Sequence, residues 1–185
     1  MKYALGFTLL ELLIVLAITT IVGGIALPSY QSMLESNRSS AHIQQFIRTL
    51  NLARHTAITK KEITTLCPSN DGEQCGGDWH RGTILFRDKN NNRKVDSDER
   101  LIEVSESYPK GITLNWRASA GRNTFIRFSP SGAAREFGTF TYCPRSRDTR
   151  HAKMLVLNRQ GRVHNARDVD GDGIAEKRNG DEPEC

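Results

Sequence analysis

The feature that most constrains this chain is a long uncharged segment near its N-terminus. Leu12 to Leu27 are sixteen consecutive uncharged residues, and the segment extends back to Phe7 with one interruption, Glu11. About 20 apolar residues let a helix cross the ~30 Å core of a bilayer, so residues 7–27 are long enough to do so. We therefore expect a membrane-spanning helix here, followed by a separate polar body.

Glu11 is unusual in such a helix, because a carboxylate facing lipid costs on the order of 2.5–3.5 kcal/mol at the bilayer centre and less near the interface. It is expected either to lie shallow, wetted by head groups, or to meet a cation from another chain. A cleaved secretory signal is disfavoured, because its apolar stretch is roughly 7–15 residues long. In addition, Ala26-Leu27-Pro28-Ser29 lacks a small-residue cleavage site.

Two short strings carry a family resemblance: Gly6-Phe7-Thr8-Leu9-Leu10-Glu11 and Ala26-Leu27-Pro28-Ser29-Tyr30. They resemble the N-termini of type IV prepilins and of the pseudopilins of type II secretion. The resemblance implies a leader at 1–6, cleavage between Gly6 and Phe7 by prepilin peptidase, and N-methylation of Phe7. It also implies storage in the inner membrane, and pairing of Glu11 with the Phe7 amino group of a neighbouring subunit during assembly with other pilins.

Residues 28–60 are predicted to continue the helix in amphipathic form. Pro28 removes one internal hydrogen bond, so we expect it to kink the helix rather than end it. Beyond it, apolar residues recur at i, i+3, i+4 and i+7, which indicates a helix laid on a globular body. The stripe consists of Ile43, Phe46, Ile47, Leu50, Ala53, Ala57 and Ile58.

Residues 61–185 are predicted to form a β-rich head, so the fold class is α+β: a long N-terminal helix on an antiparallel sheet, or on two sheets. The order of a Cys-rich loop, Trp79, an Asp/Asn loop and a late Gly-Arg-Val resembles the head of the GspH/FimT group of minor pilins and pseudopilins. The predicted strands are Glu62–Leu66, Gly82–Arg87, Leu101–Glu106, Ile112–Arg117, Thr124–Phe128, Phe137–Tyr142 and Met154–Asn158.

The head contains four cysteines, an even number on the side of the membrane expected to be oxidising, which predicts two disulfides. Three pairings are possible. We favour Cys67–Cys75, which closes a short loop, and Cys143–Cys185, which ties down the polar C-terminal tail. Zinc is disfavoured, because no CxxC pair or histidine cluster accompanies the cysteines.

Two acidic loops are candidate calcium sites. Oxygen ligands of the first follow the spacing of a twelve-residue calcium loop, at Asp88, Asn90, Asn92, Lys94 (by its carbonyl), Asp96 and Glu99, but Arg93 stands where glycine is usual. The second, with Asp168, Asp170 and Asp172, has the glycine but ends on Asn179, so a closing carboxylate is expected to be missing. The alternative for both is a polar turn in which Asp and Asn side chains bond their own backbone. No cofactor is required.

The formal net charge is +5, and it is unevenly distributed. Ser107 to Arg167 contains twelve Lys or Arg and two acidic residues, whereas Asp168 to Cys185 contains seven acidic and two basic residues. The two blocks either neutralise each other or leave a face that binds double-stranded DNA without sequence specificity. Gly161-Arg162-Val163-His164 resembles the late Gly-Arg-x-Arg motif through which some FimT-like minor pilins capture DNA, but His164 replaces the final arginine. The candidate DNA-binding residues are Arg145, Arg147, Arg150, Lys153, Arg159, Arg162, His164 and Arg167.

Nothing in the sequence indicates an enzyme, because no G-x-S-x-G, Walker or HExxH motif appears, and no small-molecule substrate is expected. We expect a minor pilin of a type IV pilus, single-pass in the inner membrane with a periplasmic head, that assembles at or near the filament tip and binds DNA for natural transformation. The first alternative is the H-type pseudopilin of a type II secretion system, in a periplasm-spanning filament. The second is a membrane-anchored periplasmic cation-binding module.

Overall fold

The computed structural model describes residues 8–119, 121, 124–177 and 180–185. The chain divides into two compact units, one ending at Arg38 and the other running from Ser39 to Cys185. A single helix, α1 (Leu9–Lys60), has 52 residues, contains Pro28 in its interior and spans the boundary between the units. As expected, Pro28 does not end the helix.

The second unit contains two four-stranded sheets in which every paired strand is antiparallel. The order is β3-β2-β1-β5 in the first sheet and β4-β6-β7-β8 in the second. Two three-residue 3₁₀ helices, Trp79–Arg81 and Thr149–His151, lie in the connections. The strands are β1 (Thr64–Pro68), β2 (Thr83–Arg87), β3 (Leu101–Ser105), β4 (Thr113–Ala118), β5 (Ile126–Phe128), β6 (Gly138–Cys143), β7 (Lys153–Leu157) and β8 (Val163–Asn165).

The α+β class and the long helix are confirmed, and each of the seven predicted strands overlaps an observed one. The eighth strand, β8, was not predicted. It is only three residues long and two of them are exposed, so it has no apolar pattern of its own. It forms because Leu155, Val156 and Leu157 of β7 pair with it in antiparallel register.

The core of the second unit lies between the helix stripe and both sheets. Ile43, Phe46, Leu50, Ala53 and Ala57 are buried in the same cluster as side chains of β1, β4, β6 and β7. The Thr64 hydroxyl at the start of β1 donates a hydrogen bond to the Ala53 carbonyl, at 2.9 Å. The predicted stripe is therefore the surface on which the head packs.

Phe140 is the central aromatic side chain of this core. It is fully buried in β6, and its ring centroid lies 4.3 Å from Trp116, 4.6 Å from Phe46 and 5.1 Å from Trp79. Offset and edge-to-face pairs of this kind add to the free energy gained from burying apolar area. One side chain thus joins a strand of the second sheet, the helix and the loop before β2.

Both disulfides have the pairing favoured from the sequence. Cys67 at the end of β1 is bonded to Cys75, and Cys143 at the end of β6 is bonded to Cys185, with Cα atoms 5.5 Å apart in each case. The first closes a short loop and the second fixes the last residue of the chain to the second sheet. The C-terminal tail is therefore held at both ends.

We expect Phe140→Ala to lower the free energy of unfolding of the head by about 3–5 kcal/mol, because it leaves a cavity among three aromatic rings. Denaturant unfolding of the full chain in detergent, followed by near-UV circular dichroism, measures the loss. Val104→Ala is the control, since Val104 is 52% exposed on β3 and its truncation should change stability by no more than about 0.5 kcal/mol. A similar loss in both variants would contradict the central role of Phe140.

Candidate functional site

The described N-terminal unit begins with Thr8, which caps helix α1. Its hydroxyl oxygen accepts a hydrogen bond from the Glu11 N–H at 3.2 Å, and its carbonyl accepts one from Leu12 N–H at 3.2 Å. Glu11 therefore lies in the first turn of α1 and is exposed. The N-terminal end of a helix carries partial positive charge, so this is a favourable position for a carboxylate. Gly6 and Phe7, the predicted processing residues, lie outside the described residues.

The first half of α1 exposes apolar side chains on all faces within its own unit. Leu9 is 77% exposed, Ile21 64% and Ile25 72%. Among the described residues, one helix, Leu9–Lys60, is long and apolar enough to cross a membrane, and its most apolar stretch is not buried within the structure. An apolar surface of this extent needs lipid or other protein to cover it.

Two threonines in this stretch have their hydroxyl groups satisfied within the helix. The Thr19 hydroxyl lies 2.9 Å from the Val15 carbonyl, and the Thr20 hydroxyl lies 2.8 Å from the Ala17 carbonyl. Hydroxyls that bond back to the preceding turn leave no polar group for lipid to solvate. In the described stretch from Thr8 to Leu27, Glu11 is the one ionisable side chain.

The eight candidate DNA-binding residues do not form one group in the structure. Arg145, Arg147 and Arg150 precede β7, whereas Arg159 and Arg162 follow it. Five residues of strand separate these two positions by about 16 Å. The candidate residues therefore lie in two clusters, at opposite ends of β7, and their binding to DNA stays a prediction.

Strand β8 runs antiparallel to β7 and so brings the residues that follow it back to the first cluster. The Ala166 N–H donates to the Met154 carbonyl at 2.8 Å, which places Arg167 beside Lys153 at the start of β7. His164 lies midway along, opposite Val156, and is exposed. We call the set at the start of β7 the lower basic cluster: Arg145, Arg147, Arg150, Lys153 and Arg167.

Arg150 of the lower basic cluster is already paired. Its guanidinium donates to both carboxylate oxygens of Asp148, at 3.1 and 2.7 Å, and its backbone N–H donates to the same side chain at 3.0 Å. These bonds lower the pKa of Asp148 below its usual value and raise that of Arg150. Except at acidic pH, the negative charge of Asp148 therefore cancels part of the positive charge of the lower basic cluster.

The second acidic loop brings together four carboxylates rather than the three expected. Oxygen atoms of Asp168, Asp170, Asp172 and Glu176 all lie within 4.8 Å of one another. Glu176 is only 7% exposed, and one of its oxygens accepts the Val169 N–H at 2.8 Å. Glu176, at the ninth position, is thus a fourth carboxylate that was not among the candidate ligands, while the twelfth position, Asn179, lies outside the described residues.

The first acidic loop connects β2 to β3 in the first sheet. Asp88 is fully buried at the end of β2, Asp96 and Glu99 are half-buried, and Asn90, Asn92 and Lys94 are exposed or partly exposed. The loop is attached to β5 by a bond from the Arg127 guanidinium to the Asn91 side-chain oxygen, at 2.9 Å. Calcium binding at either loop remains a prediction at this point.

The comparisons with known proteins agree with this geometry. Residues 42–161 match the family described as type II transport protein GspH, and residues 1–27 match the prokaryotic N-terminal methylation motif. No curated protein sequence matches the chain. Among solved structures, the type IV minor pilin FimU of Pseudomonas aeruginosa has a TM-score of 0.53 at 14% identity, covering 71% of this chain and 90% of that one.

The minor pseudopilin EpsH from the type II secretion system of Vibrio cholerae is similar to the same degree, with a TM-score of 0.50 at 11% identity, covering 70% of this chain and 96% of that one. At such low identities these likenesses show the fold alone, which is that of pilin-like filament subunits. The chain belongs to the type II transport protein GspH family and carries its methylation motif at the N-terminus. Such families of minor pilins and pseudopilins are structural and membrane-anchored.

Proposed function

We propose that this chain is a minor subunit of a type IV pilus, cleaved between Gly6 and Phe7 and drawn from the inner membrane into the filament at or near its tip. The observation that carries the proposal is Glu11, the one carboxylate at the start of an exposed apolar helix and within the residues that match the methylation motif. Cleavage at Gly6 creates a new amino group on Phe7, four residues before that carboxylate.

The physical argument is one of charge compensation. Glu11 is tolerated near the end of the helix while head groups hydrate it, but inside a bundle of apolar helices it loses that water. An opposite charge within reach offsets the cost of desolvation. The Phe7 amine of a neighbouring subunit supplies such a charge, which ties processing to assembly with other pilins.

We expect Glu11→Ala to leave the protein in the membrane fraction but to reduce its incorporation into filaments by at least about tenfold. A tenfold reduction corresponds to the loss of about 1.4 kcal/mol of pairing free energy between the carboxylate and the amine. Glu35→Ala, which removes the other carboxylate of α1, is the matched control and should incorporate normally. The readout is the amount of this subunit in sheared filaments relative to membranes.

Mass spectrometry of the mature N-terminus tests the processing step separately. The expected product starts at Phe7 and carries one added methyl group. Full-length protein that retains residues 1–6 and never enters a filament would overturn the proposal and favour the membrane-anchored cation-binding module.

The H-type pseudopilin of a type II secretion system is the second candidate, and the family matched by residues 42–161 favours it. Both functions use the same helix, processing and head. Deletion of the gene distinguishes them: loss of twitching and transformation supports the pilus, whereas loss of protein release with twitching intact supports the secretion system.

We further propose that the lower basic cluster contacts double-stranded DNA during transformation. Arg145, Arg147 and Arg167 are exposed, and the β6–β7 connection that carries the first two projects from the end of the second sheet. The acidic tail is joined to the same end through Cys143–Cys185, so the surface has neighbouring regions of opposite charge. Contacts of this kind involve phosphates and carry no sequence preference.

We expect DNA binding by the full chain in detergent to weaken steeply between about 50 and 300 mM salt, because counterions are released. Arg145→Ala with Arg147→Ala should reduce the log–log salt slope by about 2. Asp148→Asn should strengthen binding, because it releases the paired Arg150. A flat salt response, or the same affinity in all three proteins, would remove the DNA proposal and leave the filament proposal intact.

A further inference from the structure

The connection between β2 and β3 contains a buried carboxylate oxygen without a hydrogen-bond partner. Asp88 is fully buried, and its Oδ2 accepts bonds from the Thr65 hydroxyl at 2.7 Å and the Arg93 N–H at 3.2 Å. Its Oδ1 is also buried and has no hydrogen-bond partner within the described part of the chain. A buried carboxylate oxygen left uncompensated is destabilising, which indicates that a cation belongs beside it.

Other oxygen-bearing side chains of the same loop converge on one point. The side-chain amides of Asn90 and Asn92 both donate to Oδ2 of Asp96, each at 2.7 Å. The two amides thus direct the positive ends of their N–H dipoles at Asp96, where a cation would place a full charge. The oxygen of each amide accepts a backbone N–H, from Asn92 at 3.0 Å and from Lys94 at 2.8 Å, and can serve as a ligand when the group turns over. The side chains at positions three and five therefore both contact the carboxylate at position nine.

The end of the loop is tied back to its start. Glu99, at the twelfth position, accepts the Lys89 N–H at 2.8 Å. A twelfth-position glutamate that binds with both oxygens is the usual closing ligand of a calcium loop. Asp88 accepts the N–H of Arg93 and Glu99 accepts that of Lys89, so the first and last carboxylates both bond backbone of the same loop.

Arg93, the departure from the calcium-loop pattern, does not prevent the required turn. It has φ of 65° and Asn91 has φ of 61°, so both adopt the left-handed conformation usually taken by glycine. The second acidic loop has Gly171 and Gly173 in the same conformation at the same two positions. The Arg93 guanidinium lies over the Phe125 ring, 5.2 Å from its centroid, and so is not among the ligands.

We propose that the loop Asp88–Glu99 binds one calcium ion, with side-chain oxygens of Asp88, Asn90, Asn92, Asp96 and Glu99 and the carbonyl of Lys94 as ligands. Oxygen ligands in flexible loops are those that Ca²⁺ prefers. Binding would compensate Asp88 and order the connection that leads into β3. The site is independent of whether the chain serves a pilus or a secretion system.

The test uses the full chain in detergent with both disulfides intact, and Ca²⁺ alone as the probe. Because the second acidic loop offers a competing cluster, the reference protein carries Asp170→Asn and Asp172→Asn. We expect this protein to bind one Ca²⁺ by calorimetry with Kd of about 10⁻⁴–10⁻³ M, as in extracellular calcium modules. Hydrogen exchange of residues 88–99 should slow when Ca²⁺ replaces EGTA.

Three further variants, each made in the reference protein, decide the assignment. Asp96→Asn and Glu99→Gln affect half-buried side chains and should each weaken binding by at least about tenfold, since a ligand charge is lost. Asp98→Asn is the matched control: the charge change is the same, in the same loop, but at the eleventh position, where the side chain pairs with Lys89. It should leave calcium affinity within about twofold.

Two results would overturn the proposal. One is a reference protein that takes up no Ca²⁺ at millimolar concentration. The other is binding that Asp96→Asn and Glu99→Gln leave unchanged. Thermal unfolding of every variant without metal shows whether each is folded, so a loss of binding cannot be mistaken for a loss of structure.

Discussion

The stripe on the second half of α1 is the constraint on which the head depends. Ala53 and Ala57 are fully buried, so the backbone of the helix comes close to the strands that face it, and Thr64 bonds directly to the Ala53 carbonyl. Larger side chains at these positions would push helix and sheets apart, with strain typical of overpacked cores. The main cluster includes the helix and both sheets, while a smaller second cluster, Cys67, Ile84 and Phe86, belongs to the first sheet alone.

Because the strands fill the core, the candidate functional residues of the second unit lie mainly in the loops that connect them. In the second unit the strands contribute mainly buried apolar side chains, and most charged groups with a functional interpretation lie in three segments: β2–β3, β6–β7 and the tail after β8. Lys153, the first residue of β7, is an exception. Loops on a rigid scaffold can vary in sequence without loss of the core. The two disulfides support this division, because Cys67 lies in the last two residues of β1 and Cys143 is the last residue of β6, and each bonds a residue in an irregular segment.

The sequence was sufficient to predict what depends on apolar periodicity and on motif spacing. The stripe from Ile43 to Ala57, the strand positions and the cysteine pairing follow from such patterns. What it could not predict depends on pairing in space. Strand β8 has no apolar pattern and exists because β7 provides an edge. The basic residues of 145–167 read as one block, yet a five-residue strand separates them.

Glu176 illustrates a different limit. It stands at the ninth position of the second loop, where a ligand often binds through water, whereas the residue that closes most calcium loops is the twelfth. In the structure Glu176 reaches the three aspartates because Val169 N–H holds its carboxylate and because Arg167 and Glu176 form an isolated β-bridge. The signal for Glu176 is therefore present in the sequence, as a carboxylate at the ninth position of the pattern.

The two acidic loops show how the same backbone path can carry different electrostatics. Both have left-handed residues at the fourth and sixth positions, and in both the N–H of the sixth residue donates to the first aspartate. The second loop places four carboxylates together, three of them exposed, so water and salt relieve their mutual repulsion. The first replaces two of those carboxylates with asparagines and buries its first aspartate. Repulsion in it is smaller, but the buried charge has no solvent to compensate it, so the proposed cation would stabilise the first loop more than the second, despite its smaller negative charge.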